Sequence, residues 1–263
     1  MRELCIIVCI KQVPDPEGPP SAFRIDSEAK RVIPSGIPPV INPPDENALE
    51  AALRLRESCG GRVVAISMGT KLAKPVLSKA LAVGADDLIL LDDERFRDLD
   101  SYSTAFVLTK AIRKIGAYDA VLTGTLAGDW GFGQTGTLLA EMLQIPLLNV
   151  VRKMKQEDGN IIAEKVEKSG YAVVRAPMPV LITVSSEVGD LRMALVKDMM
   201  AARKKPITVW SADDIGVDPQ ALRQRKVYSI VAPRSRECTF VGGQSSEERA
   251  RNLITMLKNE GVI

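Results

Sequence analysis

The stretch from Ala117 to Leu143, AYDAVLTGTLAGDWGFGQTGTLLAEML, restricts the fold more than any other part of this chain. Tyr118 to Thr123 is a short apolar run bounded by polar and glycine residues, the pattern of a strand buried inside a parallel sheet. From Gln134 onward, Leu138, Leu139, Met142 and Leu143 recur at helical spacing. A loop of small residues, Gly124 to Gly133, joins the two and carries Asp129 at its middle. Strand, glycine-rich loop and helix start together present backbone N–H groups to a phosphate, so a nucleotide is expected here.

The loop contains Gly131-Phe132-Gly133-Gln134-Thr135-Gly136, a G-x-G-x-x-G match. The dinucleotide fingerprint follows its strand at once, usually the first strand, with an acidic residue about 20 positions on. Here the strand is the fourth, and seven residues (Gly124 to Trp130) intervene before the first glycine. A plainer account is that the glycines make a tight turn and let the helix pack on the sheet.

Composition removes whole classes of chemistry. No histidine occurs among the 263 residues, which excludes Ser/His/Asp and Cys/His arrangements and histidine-ligated zinc or haem. Cys5, Cys9, Cys59 and Cys238 form no C-x-x-C pair, and no metal site is expected. Cys5 and Cys9 share one face of the first strand, where buried apolar duty is expected. A net charge of +2 argues against a nucleic-acid surface. No apolar run reaches the roughly 20 residues of a membrane span, and the start enters a strand directly, so a cytoplasmic chain without leader is expected. A chain this poor in catalytic side chains is expected to bind a molecule that carries its own chemistry.

Taken in order, Leu4 to Ile10 reads as a central parallel strand, and Lys11-Gln12-Val13-Pro14-Asp15 leaves it at the carboxyl edge where open sheets bind ligands. Phe23–Asp26 and Arg31–Ile33 suggest a hairpin. Asn42-Pro43-Pro44-Asp45-Glu46 opens a helix, with Asn42 and Asp45 either capping it or touching a ligand. Arg62–Met68 is a second strand, and Leu72–Val83 a helix. Leu88–Leu91 is a third strand, and a helix capped by Ser101 runs to Ile115. This alternation is the signature of a doubly wound, mostly parallel α/β sheet of the adenine-nucleotide-binding, Rossmann-like kind. After Pro146, four short strand-like segments between Leu147 and Val184 suggest an antiparallel or mixed extension. Gly189–Lys205 reads as a helix or mobile loop with Met193, Leu195, Val196, Met199 and Met200 among basic residues. The expected division is a nucleotide-binding domain over 1–210, including a loop at about 184–205, and an extension over 211–263. That extension is expected to hold a short strand at Val227–Val231 and a helix near Ser245–Glu260.

These pieces, in this order, resemble the beta subunit of electron transfer flavoprotein over about Met1 to Asp218. The resemblance rests on Lys11–Asp15, Asn42–Glu46 and Lys79–Asp86 (KALAVGAD). It continues through Gly124–Asp129 with Gln134–Gly136, the basic ARKKPI at Ala202–Ile207, and Ile215–Asp218. It implies a heterodimer with an alpha subunit that carries FAD, exchanging electrons with a flavin dehydrogenase or an electron transfer flavoprotein oxidoreductase. The beta subunit would make and break no bonds itself. Its own site, holding AMP or, in electron-bifurcating members, a second FAD, would comprise Cys9, Asn42, Pro43, Pro44, Asp45 and Met68. Ala127, Asp129, Gly133, Gln134, Thr135 and Gly136 would complete it. The segment Val184–Lys205 would dock partners through Arg192 and an apolar anchor at Leu195 or Val196, with the final tail wrapping the alpha subunit.

The chain departs from the family pattern at Trp130-Gly131-Phe132-Gly133, where acidic or small polar residues are usual. Glycines there make room and aromatics can cover a ring system, which favours FAD over AMP in this subunit. Around Arg192, Gly189-Asp190-Leu191-Arg192-Met193 keeps only the arginine of the family's Asn-x-Pro-Arg-Tyr. Two other classes account for fewer of these features. A free-standing adenine-nucleotide sensor of the universal-stress type shares the sheet but leaves the Arg192–Lys205 segment unexplained. A nicotinamide-dependent enzyme lacks its fingerprint on the first strand.

Overall fold

A computed structural model describes residues 3–26, 28, 30–228 and 238–263. In chain order its strands and helices are β1 (Cys5–Cys9), β2 (Gln12–Pro14), β3 (Phe23–Asp26), β4 (Arg31–Pro34), β5 (Pro39–Ile41), α1 (Pro43–Cys59), β6 (Arg62–Gly69), α2 (Lys74–Leu77), α3 (Lys79–Ala82) and β7 (Asp87–Asp92). Then come α4 (Ser101–Ile115), β8 (Ala120–Gly124), α5 (Thr135–Leu143), β9 (Leu147–Glu157), β10 (Asn160–Glu167), β11 (Gly170–Pro177), β12 (Val180–Val184), α6 (Val196–Ala202), β13 (Thr208–Trp210) and α7 (Ser246–Asn259).

Nine strands form one sheet in the order β11-β10-β9-β12-β8-β1-β6-β7-β13. From β9 to β13 every neighbouring pair is parallel, and β9-β10-β11 are antiparallel. The antiparallel extension expected after Pro146 is therefore the far edge of the main sheet. After β1 the chain builds outward through β6 and β7, then returns to place β8 on the other side of β1. That reversal opens a crevice at the carboxyl ends of β1 and β8.

The strands need apolar residues on both faces because helices cover both. Ile6, Val8 and Ile10 of the first strand join the core under α1, α2, α3 and α6. Cys5, Ile7 and Cys9 join the core under α4 and α5, which accounts for the cysteines' spacing. Helix α1 begins with two prolines and acidic residues, carries Arg56 in its last turn, and is capped by Gly60.

Three local expectations change. The helix expected over Leu72–Val83 divides into α2 and α3 at Ser78, whose hydroxyl donates to the Lys74 carbonyl at 2.6 Å and competes with the helical ladder. Helix α4 is capped by Asp100, not Ser101, its carboxylate accepting from Ser103 N at 2.7 Å. Val227 and Tyr228 carry no strand, and the rest of that expected strand lies outside the described residues.

The chain divides into two compact units, 1–228 and 229–263. Residues 211–228 thus belong with the sheet. In the second unit, the Ser245 hydroxyl accepts from Glu248 N while the Glu248 carboxylate accepts from Gln244 N, a reciprocal cap that starts α7.

Helix α5 lies close against the sheet. A Cβ at Gly136 would stand 2.8 Å from Thr183 Cγ2 and 2.9 Å from Thr123 Oγ1. Gly136→Ala is expected to lower stability by roughly 1–3 kcal/mol through overpacking. A urea midpoint equal to wild type would contradict this close approach.

Candidate functional site

A cavity of about 370 Å³ opens at the carboxyl ends of β1, β6 and β8. Cys9, Asp45, Met68, Ala127, Asp129, Gly133 and Thr135 line it, so seven of the twelve expected nucleotide contacts meet in one place. Asn42, Pro43, Pro44, Gln134 and Gly136 are not among its lining residues: Pro43 is exposed and lines a separate depression with Ile41 and Glu46, and Gln134 sits exposed at the start of α5.

The start of α1 is a clip. Buried Asp45 accepts from Lys11 N at 2.8 Å and from Gly124 N at 3.1 Å, tying the exits of β1 and β8 together. A side chain at 124 would collide with it, since an added Cβ would lie 2.5 Å from Asp45 Oδ1. Asn42 makes no side-chain cap; its amide donates to the Leu126 carbonyl at 2.9 Å and accepts from Gly128 N at 2.9 Å, holding the loop. Pro43 and Pro44 lack N–H groups, and the Asp45 and Glu46 N–H groups both donate to the Asn42 carbonyl. These four residues leave the helix little with which to receive an anion.

The start of α5 differs. Gln134 gives it no side-chain cap, and a helix's first N–H groups lack partners within it. Gly131 and Gly133 take positive φ of 68° and 61°, so they turn the loop toward this helix. Lys11 Nζ reaches across to Asp129 at 2.7 and 2.6 Å. Trp130 and Phe132 stack with centroids 6.1 Å apart beside the opening. Arg31, Asp98 and Arg225 complete the rim. Sequence reasoning missed Arg225, whose distance along the chain from the other lining residues hides it. Lys11 was visible as the residue leaving β1 but was not assigned to the site.

One side of α1, from Asn47 to Glu57, holds the segment expected to dock partners. Asn47 donates to the Gly189 carbonyl and Arg54 to the Val188 carbonyl, each at 2.8 Å. Buried Glu50 accepts from Arg192 N at 3.1 Å and Nε at 3.0 Å, and Glu57 takes the other side of that guanidinium. Burial pushes the Glu50 carboxyl up, but the bonds from Arg192 and Arg54 overcome it and hold it below the usual range. Arg192 is thus anchored internally. Beyond it, Met193 is 93% exposed, Leu195 59% and Val196 69%, an apolar knob standing in solvent.

Burial dominates at the cavity floor. It raises the Asp45 carboxyl from 3.8 to about 7, although the surrounding hydrogen bonds pull the other way. Burial and the neighbouring Asp45 also push the Cys9 thiol up, which keeps it protonated and unreactive. A carboxyl whose folded pKa is raised stabilises the fold fully below about pH 4 and loses that contribution as pH rises through about 7. Asp45→Asn is expected to remove this slope from the thermal midpoint between about pH 4 and about pH 7. Identical slopes in wild type and variant would contradict the assignment.

Comparison with known proteins places the sheet in a family. The electron transfer flavoprotein domain matches residues 31–215. An electron transfer flavoprotein subunit beta from Thermoanaerobacterium thermosaccharolyticum is 38% identical over 98% of this chain and 99% of its own. The caffeyl-CoA reductase-Etf complex subunit CarD of Acetobacterium woodii is 34% identical over 98% and 99%. Protein FixA of Azorhizobium caulinodans is 36% identical over 81% and 77%. Among the described residues, no helix is long and apolar enough to cross a membrane. A match over most of the sheet, with relatives this similar along nearly their whole length, means that the chain belongs to the electron transfer flavoprotein family, as a beta subunit.

Proposed function

We propose that this chain is the nucleotide-holding half of a heterodimer whose alpha subunit binds FAD, and that it docks the pair onto a flavin dehydrogenase or an electron transfer flavoprotein oxidoreductase. One observation carries the reading: a single helix, α1, builds the floor of a nucleotide-sized cavity at one end and anchors an exposed apolar knob along its length. FAD, when bound, supplies the electron chemistry. The residues of this chain bind, position and dock.

The cavity fits an adenine nucleotide. Its floor at Cys9 and Met68 is suited to a base, and the uncapped start of α5 at Gly133 and Thr135 is suited to a phosphate. Stacked Trp130 and Phe132 provide an aromatic wall, which supports a second FAD over AMP and, with it, electron bifurcation. The name of the CarD relative, a subunit of a caffeyl-CoA reductase-Etf complex, supports a reductase-type partner. The tail after residue 228 is assigned to the alpha subunit's surface, and the complex to the cytoplasm.

The knob makes the reading testable. Val196→Glu places a charge on a 69%-exposed apolar residue and disturbs no described core contact. It is expected to leave the flavin spectrum of the heterodimer intact and to slow electron exchange with the cognate dehydrogenase by about tenfold or more, the loss of one interface hot spot. Stopped-flow rates equal to wild type would remove the docking role from this segment.

A further inference from the structure

Arg225 reaches the cavity from far along the chain. Its segment pairs with residues 98–100: Arg225 N donates to the Asp98 carbonyl at 2.7 Å, and Asp100 N to the Arg223 carbonyl at 3.0 Å. Leu99 and Gln224 form an antiparallel bridge between those bonds. This fixed backbone carries the guanidinium to the rim, where it lies 3.6 Å from the centre of the Trp130 ring.

Its charge is poorly matched there. Asp98 also serves Arg31 at 3.0 Å, and its contact with Arg225 Nη2 is longer, 3.4 Å. Asp129, the other nearby carboxylate, is engaged by Lys11. Arg97, also on the rim, is paired with Glu94. Among the described lining residues, Asp98 is thus shared between Arg31 and Arg225, Asp129 is taken by Lys11, and the third carboxyl, Asp45, lies at the floor bonded to backbone N–H groups. The Arg225 side chain is only 16% exposed, and its buried Nε has no hydrogen-bond partner among the described residues. Burial lowers its pKa, with Asp98 and then Asp129 restoring part of the loss. A desolvated guanidinium with an open N–H and only a shared, long contact to a carboxylate is suited to an oxyanion entering the cavity.

We propose that Arg225 is a specificity-determining residue of this cavity, reading a second phosphate on an adenine nucleotide whose first phosphate rests at the start of α5. The ligand class is then diphosphate-bearing, either ADP itself or a pyrophosphate-linked dinucleotide such as FAD, in preference to AMP. This inference rests on the adenine-nucleotide reading of the cavity. The aromatic loop joins the two subsites, because Trp130, on which Arg225 stacks, precedes Gly133 in the same turn.

Calorimetric titration of the nucleotide-depleted full chain with AMP, ADP and FAD tests it, in wild type, Arg225→Gln and Arg225→Lys. Wild type is expected to bind ADP about tenfold more tightly than AMP, the gain of one charge-assisted hydrogen-bonded pair. Arg225→Gln should erase most of that gain while leaving AMP affinity within about twofold. Arg225→Lys, which keeps the charge but not the planar fork, should fall between them. FAD affinity at or above that of ADP, with the same loss in Arg225→Gln, identifies the dinucleotide as the occupant. Binding of ADP without FAD identifies the diphosphate nucleotide. AMP and ADP binding equally to wild type, or losing affinity equally in Arg225→Gln, overturns the inference and leaves the adenylate site standing. No binding of any of the three overturns both.

Discussion

The carboxylate of Asp45, buried between the exits of β1 and β8, is the interaction on which the rest of the site depends. An open α/β sheet separates its connections at the point where strand order reverses, and the gap left there receives ligands. Here two N–H groups, from Lys11 and Gly124, close the base of that gap onto one side chain. The arrangement requires glycine at 124 and brings the glycine-rich loop out of β8 directly over the gap. Burying a carboxyl is costly, and its raised pKa records that cost.

The clip also divides labour between two helices. With prolines at its first two positions and its next two N–H groups donating to Asn42, α1 is committed to architecture. Helix α5, which begins without a side-chain cap, is the one suited to an anion. Freed from ligand duty along the rest of its length, α1 holds the 188–192 segment through Asn47, Glu50, Arg54 and Glu57. That anchorage ends at Arg192, next to the exposed apolar knob at Met193, Leu195 and Val196. Electron transfer asks little more of the polypeptide than to hold cofactors and bring them near a partner, and a chain without histidine is consistent with that role.

Much of this was legible in the residue order. Unbroken apolar runs such as Leu4–Ile10 mark strands covered on both faces, and the two-residue alternation within β1 sorts its side chains between the two cores. The position of Asp45 at a helix start was visible, but its role was not, because its partners lie 34 and 79 residues away. Arg192 was recognisable in a basic segment, yet its engagement with Glu50 depends on a helix 142 residues earlier. Ser78 broke an otherwise helical pattern through a hydroxyl that local propensity counts only weakly. Arg225 carried no motif at all; only the pairing of its backbone with residues 98–100 places it at the cavity.

The central claim is that the crevice at the carboxyl ends of β1, β6 and β8 holds an adenine nucleotide. Quantifying adenine nucleotide released by heat from the purified heterodimer, beside its total flavin, tests this most directly. The account predicts two adenine-bearing molecules per heterodimer, one from each subunit, with two FAD if the aromatic loop receives the larger ligand. A single FAD with no further adenine nucleotide would contradict it.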